Sequence, residues 1–241
     1  MQYKARNMPS TPRSSSCVRC SHGNTRTFNM ETVLAQNIVG SNYFKWDLLE
    51  WPNAADLLGE ARAKVTHLEP WAPGGAHNPS PAFCLLYRLA LTRLTSKELT
   101  SGLLRADAPL LRGLGLLYLR YTCPPDALWE WFTEALEEGG DIALSPGINA
   151  ASSATTLAAF ARRLLAEPRY SGTQLPPVPV KVRQDWAVKL LLLERDAERA
   201  KSNALAATTT PALLAKGARA RARYSGDDKW YDATIDGADG A

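Results

Sequence analysis

The stretch SPAFCLLYRLALTRLTSKEL, Ser80 to Leu99, decides the fold class. Ser80 followed by Pro81 is an N-cap with a proline in the first helical turn, where its missing N–H costs nothing. From Ala82 to Leu94 apolar side chains fall on nearly every face of the wheel, interrupted by Arg88 and Arg93. A helix apolar all round has to be enclosed by other elements, so this one is predicted at the centre of its domain. Thr95 and Glu98 then form a capping box that restarts the chain as a new helix.

Helical signals continue on both sides. Upstream, Asn29 is placed to cap a helix that carries Val33, Leu34, Asn37 and Ile38 on one face and stops at Gly40. NYFKWDLLEW reads as a short helix ending at Pro52, and a third helix starts at Asn53 and buries Leu57, Leu58, Ala61 and Val65. Downstream, Asp107 is the expected cap of APLLRGLGLLYLRYT, whose Gly113 and Gly115 suit the close approach of a neighbouring backbone. PPDALWEWFTEALEE is a proline-started helix closed by Gly139 and Gly140. DIALSPGINA reads as a minor β-hairpin turning at Ser145 to Gly147, and a helix follows in TTLAAFARRLLAE. The prolines of LPPVPVKV, residues 175–182, demand an extended run before a last long helix beginning at Asp185.

The resulting division is a disordered basic arm over 1–26, a helical domain over 27–202, a linker over 203–216 and a β-hairpin segment over 217–241. In a chain of 241 residues and net charge +4 the cations are unevenly spread. Met1 to Met30 holds Lys4, Arg6, Arg13, Arg19 and Arg26 without an acid, and Lys216 to Arg223 holds four more. Basic ends on a near-neutral middle suit an RNA neighbour. No apolar run reaches the roughly 18 residues a bilayer requires, so no membrane partner is expected.

Catalytic chemistry finds no grouping. There is no Gly-x-Ser-x-Gly elbow, no phosphate-cradling glycine loop and no His-Glu-x-x-His pair. His67 and Glu69 have no nearby nucleophile, so His67 is expected to hold a corner by hydrogen bonds. Cys17, Cys20 and His22 lack a fourth zinc ligand at the usual spacing, and Cys84 and Cys123 sit in apolar helical contexts as small buried side chains. No enzyme activity, no small-molecule substrate, no cofactor and no metal is expected.

Five pieces, NMETVLAQNIVGSNYFK, KVTHLEPW, PAFCLLYRL, LLRGLGLLYLRYTCPPDALWEWF and LPPVPV, stand in order and at compatible spacing. Together they resemble the pre-mRNA-splicing factor 38 family, nearest its B-type branch, over about residues 24–190. The resemblance implies an all-α domain with a minor β-hairpin and a nuclear, non-catalytic scaffold. Such a scaffold belongs to the precatalytic spliceosome, beside the small nuclear ribonucleoprotein particles. It docks helical segments of other splicing proteins and is needed for the rearrangement that precedes catalysis. Two departures stand out: the loop between Trp71 and Pro81 is shorter than in the B-type branch, and an arginine- and serine-rich tail is absent from this sequence.

Within that frame the candidate partner-binding residues are Trp71 with Glu69, Trp131, Arg112 and Arg120. Pro70 and Pro73 restrict the backbone around Trp71, which makes it either a core plug or a pre-ordered anchor. Trp129, Phe132 and Leu136 share one face of their helix while Trp131 is turned about 200 degrees from Trp129, so Trp131 meets either a second layer or a partner. At the other end, RYSGDDKWYDATI resembles the opening strands of a Tudor domain. Tyr224 and Tyr231 fall on its first two cage positions, which implies a methylarginine or methyllysine reader as a rival function, incomplete within this chain.

Overall fold

The computed structural model describes residues 22–73, 78–137, 143–144, 155–209, 216–224 and 229–236. By contact the chain divides into two compact units, one spanning 12–187 and the other running from residue 188 onward. The first unit is a bundle of short helices: α1 Thr32–Gly40, α2 Ala54–Lys64, α3 Pro81–Thr92, α4 Ser96–Leu99, α5 Pro109–Thr122, α6 Pro125–Glu137 and α7 Leu157–Ala166. Helix α8, Val180–Thr209, begins in this unit and continues into the second. Among the described residues there are three small antiparallel pairs: β1 Ala143–Leu144 with β2 Thr155–Thr156, β3 Arg169–Tyr170 with β4 Thr173–Gln174, and β5 Arg219–Arg223 with β6 Trp230–Thr234.

Helix α3 is central, as its sequence demands. Every residue from Ala82 to Tyr87 is buried, and α1, α2 and α5 all pack on it. Ser80 accepts from the Phe83 N–H, and Thr95 and Glu98 close the reciprocal capping box. Helix α5 forms the second axis, buried from Gly113 to Thr122, with α6 and α7 on its far side. At Gly115 the close neighbours are side chains rather than the expected backbone: an added Cβ would come to 2.9 Å from Leu104 Cδ2 and 3.0 Å from Leu103 Cβ. Leu103 and Leu104 belong to a π-helical turn, Thr100–Leu104, that packs directly on α5. Gly115→Ala sets overpacking of about 1–3 kcal/mol against a helix-propensity gain of about 1 kcal/mol, so a net loss of up to about 2 kcal/mol is expected by chemical denaturation against wild type.

The other two capping expectations fail. Asn29 sits at φ 62, in the left-handed region, and the N-cap position belongs to Glu31. Its amide is spent on tertiary bonds: Nδ2 donates to the Tyr121 carbonyl at 2.8 Å and to the His22 carbonyl, while Oδ1 accepts from Asn24 N at 2.9 Å. Asn29 therefore clasps the N-terminal segment to the end of α5. Asp107 likewise is not the cap of α5; that position is Ala108, with Pro109 opening the helix.

Segment boundaries differ in three places. Tyr43–Glu50 is a π-helical turn followed by a 3-10 turn rather than one short helix. Helix α8 starts at Val180, inside the run expected to be extended, because after Pro179 no proline obstructs the helix and Pro179 O already accepts from Arg183 N. It ends at Thr209, well into the expected linker over 203–216, since Ala204, Ala206 and Ala207 favour helix. The turn expected at Ser145 to Gly147 lies outside the described residues, although β1 and β2 do pair, Ala143 with Thr156 and Leu144 with Thr155. The hairpin β3–β4 was not anticipated. Ser171 at φ 43 and Gly172 at φ 83 turn it, and a Ser-Gly pair between strand-forming residues is the signal that gives it away.

Burial of phenols adds a pH dependence. Tyr118 and Tyr121 are each 1% exposed, and loss of water pushes both hydroxyls up to about 12. In the unfolded chain a tyrosine ionises near ~10. Because the folded value is raised, the fold holds the neutral form: this stabilisation is complete below pH ~10 and is lost as pH climbs through ~12. Thermal melts across this window should show a falling melting temperature, and the tyrosinate absorbance that wild type has in excess of a Tyr118→Phe, Tyr121→Phe variant should appear only as helicity is lost. That excess appearing near pH ~10 with full helicity would contradict the buried placement.

Candidate protein-docking site

Three of the four surfaces below carry residues singled out by sequence. The first is the corner after α2. His67 is buried, and its Nδ1 lies 3.2 Å from Thr66 Oγ1. The neighbouring Leu68 carbonyl accepts from the Tyr170 hydroxyl at 3.2 Å, tying the corner to the β3–β4 hairpin. Burial raises the ionisation of Tyr170 well above its ordinary value, and the nearby charge of Glu69 pushes the same way. Pro70 O accepts from Ser80 N and Asn78 O from Ala72 N, both at 2.9 Å, so Trp71 stands opposite Pro79 in an antiparallel bridge. Trp71 and Glu69 are half-exposed on this fixed bridge. His77 lies outside the described residues.

The second surface is the crevice of α5 and α6. Here Trp131 is 9% exposed and Trp129 is the half-exposed one, so Phe132 and Leu136 share their buried face with Trp131 rather than Trp129. The inward face of α6 is Leu128, Trp131, Phe132, Ala135 and Leu136, because α5 and α7 both pack on it. Of the two alternatives for Trp131, the second layer is the one found. The indole fills a crevice that Leu104, Arg112, Leu116 and Leu157 also line, leaving a cavity of only about 10 Å³. On the rim Arg105 grips Glu134 with two donors, Nε at 3.1 Å and Nη2 at 3.3 Å, and both side chains are about half-exposed. Arg112 is half-buried at this rim.

Arg120 corrects the sequence reading outright. It is 3% exposed and faces inward, donating from Nε to the Leu164 carbonyl at 2.9 Å and from Nη2 to the Pro176 carbonyl at 2.8 Å. Burial lowers its ionisation to about 10, so the guanidinium stays charged at neutral pH. A cation committed to the C-terminal end of α7 and to the proline run is an internal strut and is not available to a partner.

The third surface was missed by sequence reasoning. Trp46 is 71% exposed, Leu49 52% and Trp51 40%, all on the two irregular turns between α1 and α2. Phe44 and Leu48, four residues apart, take the inward face and leave these three outside. Arg88 on α3 holds the ridge by donating to the Leu48 carbonyl at 3.0 Å and to the Trp51 carbonyl at 2.8 Å. Tyr43 donates to Glu60 at 3.0 Å, fixing the same turn to α2. The inward i, i+4 pair was legible and places Trp46 on the outer face, but a regular wheel sets Trp51 beside Phe44 and Leu48, and only the irregular turns expose it.

The fourth lies in the second unit. Tyr224 and Tyr231 stand on the β5–β6 hairpin with ring centroids 6.4 Å apart and planes at 84°, both exposed. Cys17 and Cys20 fall outside the described residues. Among the described residues no three His, Cys, Asp or Glu side chains gather as metal ligands, and no helix is long and apolar enough to cross a membrane.

The model of the PRP38 family matches residues 20–186. The chain belongs to the PRP38 family. Its match covers the helical unit almost end to end, in agreement with the resemblance carried by the five sequence pieces. Pre-mRNA-splicing factor 38B of Homo sapiens is 32% identical over 181 residues, covering 68% of this chain and 33% of that protein. Pre-mRNA splicing factor SR-like 1 of Arabidopsis thaliana is 36% identical over 162 residues, covering 67% of this chain and 40% of that protein. The chain thus spans about a third of the length of the 38B relatives it matches. Among solved structures, the Snu23-Prp38-MFAP1(217-258) complex of Chaetomium thermophilum matches with a TM-score of 0.58 at 20% identity, covering 75% of this chain and 98% of that one. At that identity the likeness establishes the PRP38 helical fold.

Proposed function

We propose that this chain is a nuclear, non-catalytic scaffold of the precatalytic spliceosome that docks other splicing proteins and is needed for spliceosome activation. The observation that carries the reading is the family match over residues 20–186, shared with relatives named as pre-mRNA-splicing factors. A solved relative of the same fold is a complex with two further proteins, which supports a docking role. Fixed aromatic side chains that reach the surface support the same reading.

The contacts are assigned to the half-exposed Trp71 with Glu69, to Arg112 at the rim above Trp131, and to the ridge of Trp46, Leu49 and Trp51. Pre-ordered aromatics lose little entropy on docking, which is how interface anchors act. Asp47 and Glu50 interleave with the exposed tryptophans, so the ridge suits a splicing protein that presents an apolar pocket with a basic rim. Residues 1–26 and 217–241 serve in this reading as arms toward the small nuclear ribonucleoprotein particles.

Affinity purification of the tagged full chain from splicing-active nuclear extract tests the proposal, with bound proteins and RNAs identified before and after activation. Precatalytic particles should be recovered before activation and lost afterwards, and Trp46→Ser with Trp71→Ser should release them. Failure to recover splicing components with the wild-type chain would overturn the reading. Tyr224 and Tyr231, exposed and 6.4 Å apart on the hairpin, favour a second reading, a methyl-mark reader, since exposed aromatic rings attract a methylated cation. Binding of dimethylarginine peptides that Tyr224→Ala and Tyr231→Ala abolish would establish it.

A further inference from the structure

The second unit contains a cavity of about 340 Å³ lined by Arg199, Asn203, Arg221 and Trp230. Two guanidiniums, a carboxamide and an indole are the groups that hold a nucleotide: cations for the phosphate, an amide for a base edge and an aromatic face for stacking. The lining holds two cations and no acid, while Glu198 precedes Arg199 and Asp232 lies beside Arg221. Between Arg199 and Arg223 the sequence has Arg199, Lys201, Lys216, Arg219, Arg221 and Arg223 and no acid.

Register arranges these groups in a track. Arg219 pairs with Thr234, Arg221 with Asp232 and Arg223 with Trp230. Residues two apart on a strand share a face, about 7 Å from one to the next. Arg221 is shared between the first cavity and a second hollow of about 440 Å³ lined by Arg219, Asp232 and Thr234 among others. Asp232 lies 3.5 Å from Arg221, yet the two side chains are 95% and 70% exposed, so the pair is weak and gives way to a stronger anion. Tyr224 and Tyr231 are not needed for the track: Tyr231 pairs with Ala222, on the alternate face of the strands.

We propose that this cavity binds a nucleotide unit of single-stranded RNA, with a base on Trp230, its phosphate between Arg199 and Arg221, and the strand continuing past Arg219. The site goes beyond the docking reading, because it lies outside the family-matched residues and needs no partner protein.

The test is fluorescence anisotropy of a labelled oligouridylate decamer with the full chain at about 50 and about 200 mM salt. Trp230→Leu should weaken binding roughly tenfold or more, the loss of one stacked base. Arg199→Gln with Arg221→Gln should weaken it and lower the salt slope by roughly one per lost phosphate contact. Arg199 lies on α8, so Arg199→Gln alone reports on the site even if Trp230→Leu disturbs the hairpin. No binding at low salt, or binding that all these variants leave unchanged, would overturn the proposal. So would displacement by uridine monophosphate as effective per nucleotide as by the strand, which marks a free-nucleotide site. Recovery of splicing proteins from extract should be unaffected by Arg199→Gln, which separates the failure of this site from the failure of the scaffold reading.

Discussion

Arg120→Ala should destabilise the helical unit by about 3 kcal/mol, since the Leu164 and Pro176 carbonyls lose their charged donors and stay buried. For a domain of this size that corresponds to a melting temperature lower by about 6–12 °C. The control that isolates the hydrogen bonds is Arg120→Met, which keeps the apolar stem and supplies no donor. If the carbonyls set the cost, Arg120→Met loses nearly as much as Arg120→Ala. If Arg120→Met is as stable as wild type, the cost of desolvating the guanidinium cancels its bonds, a balance seen for other buried charges. Differential scanning calorimetry on the three proteins decides between these, with neutral pH keeping Arg120 charged.

The structural role of Arg120 explains why the long connection from α7 to α8 is ordered. Prolines at 176, 177 and 179 have no N–H to donate, so this run has few ways to bind itself to the domain. Arg120 supplies the missing donor at Pro176, and Leu175 N reaches the Pro168 carbonyl at 3.0 Å. Leu175 and Trp186, each 2% exposed, anchor the two ends of the run. An arginine in a leucine-rich helix carries no sign in the sequence of whether it faces in or out, and the two carbonyls it serves lie 44 and 56 residues away.

That distance marks what the sequence could and could not convey. The all-α class, the central place of α3, the Ser80 cap and the Thr95–Glu98 box were legible because each depends on residues within a few positions of one another. Asn29 and Asp107 are equally good caps by type, but Asn29 is drawn to a carbonyl 92 residues away. The close approach at Gly115 was legible as a need for a small residue, although the neighbour itself, the turn at Leu103 and Leu104, was not. Among the site residues, the restriction of Trp71 by its prolines could be read locally, and its half-exposure follows from the bridge to Pro79. The exposed ridge escaped because Tyr43–Glu50 looked like one regular helix, whereas a π turn followed by a 3-10 turn changes which side chains face out.

Trp131 is the clearest case, and its truncation has the largest expected effect. A wheel gives the angle between Trp129 and Trp131 but not which of the two has helices over it. In the fold α5 and α7 flank α6, and the Thr100–Leu104 turn closes the crevice with Leu104, so the 131 side is the covered one. Trp131→Ala should therefore cost about 3–5 kcal/mol, the transfer of a large aromatic plus the cavity left behind. The existing void of about 10 Å³ shows how little slack the surrounding side chains have taken up, so the new cavity would be close to the full volume of the indole. Trp129→Ala, on the half-exposed face, should cost far less, about 1 kcal/mol. Urea denaturation of both variants gives the comparison directly. If Trp129→Ala were the more damaging, the inward face of α6 would be that of the simple wheel, and Trp131 would be the side chain left for a partner. With the expected order, Trp131 acts on docking only through the rim it supports, by fixing where Arg112 and the Arg105–Glu134 pair stand.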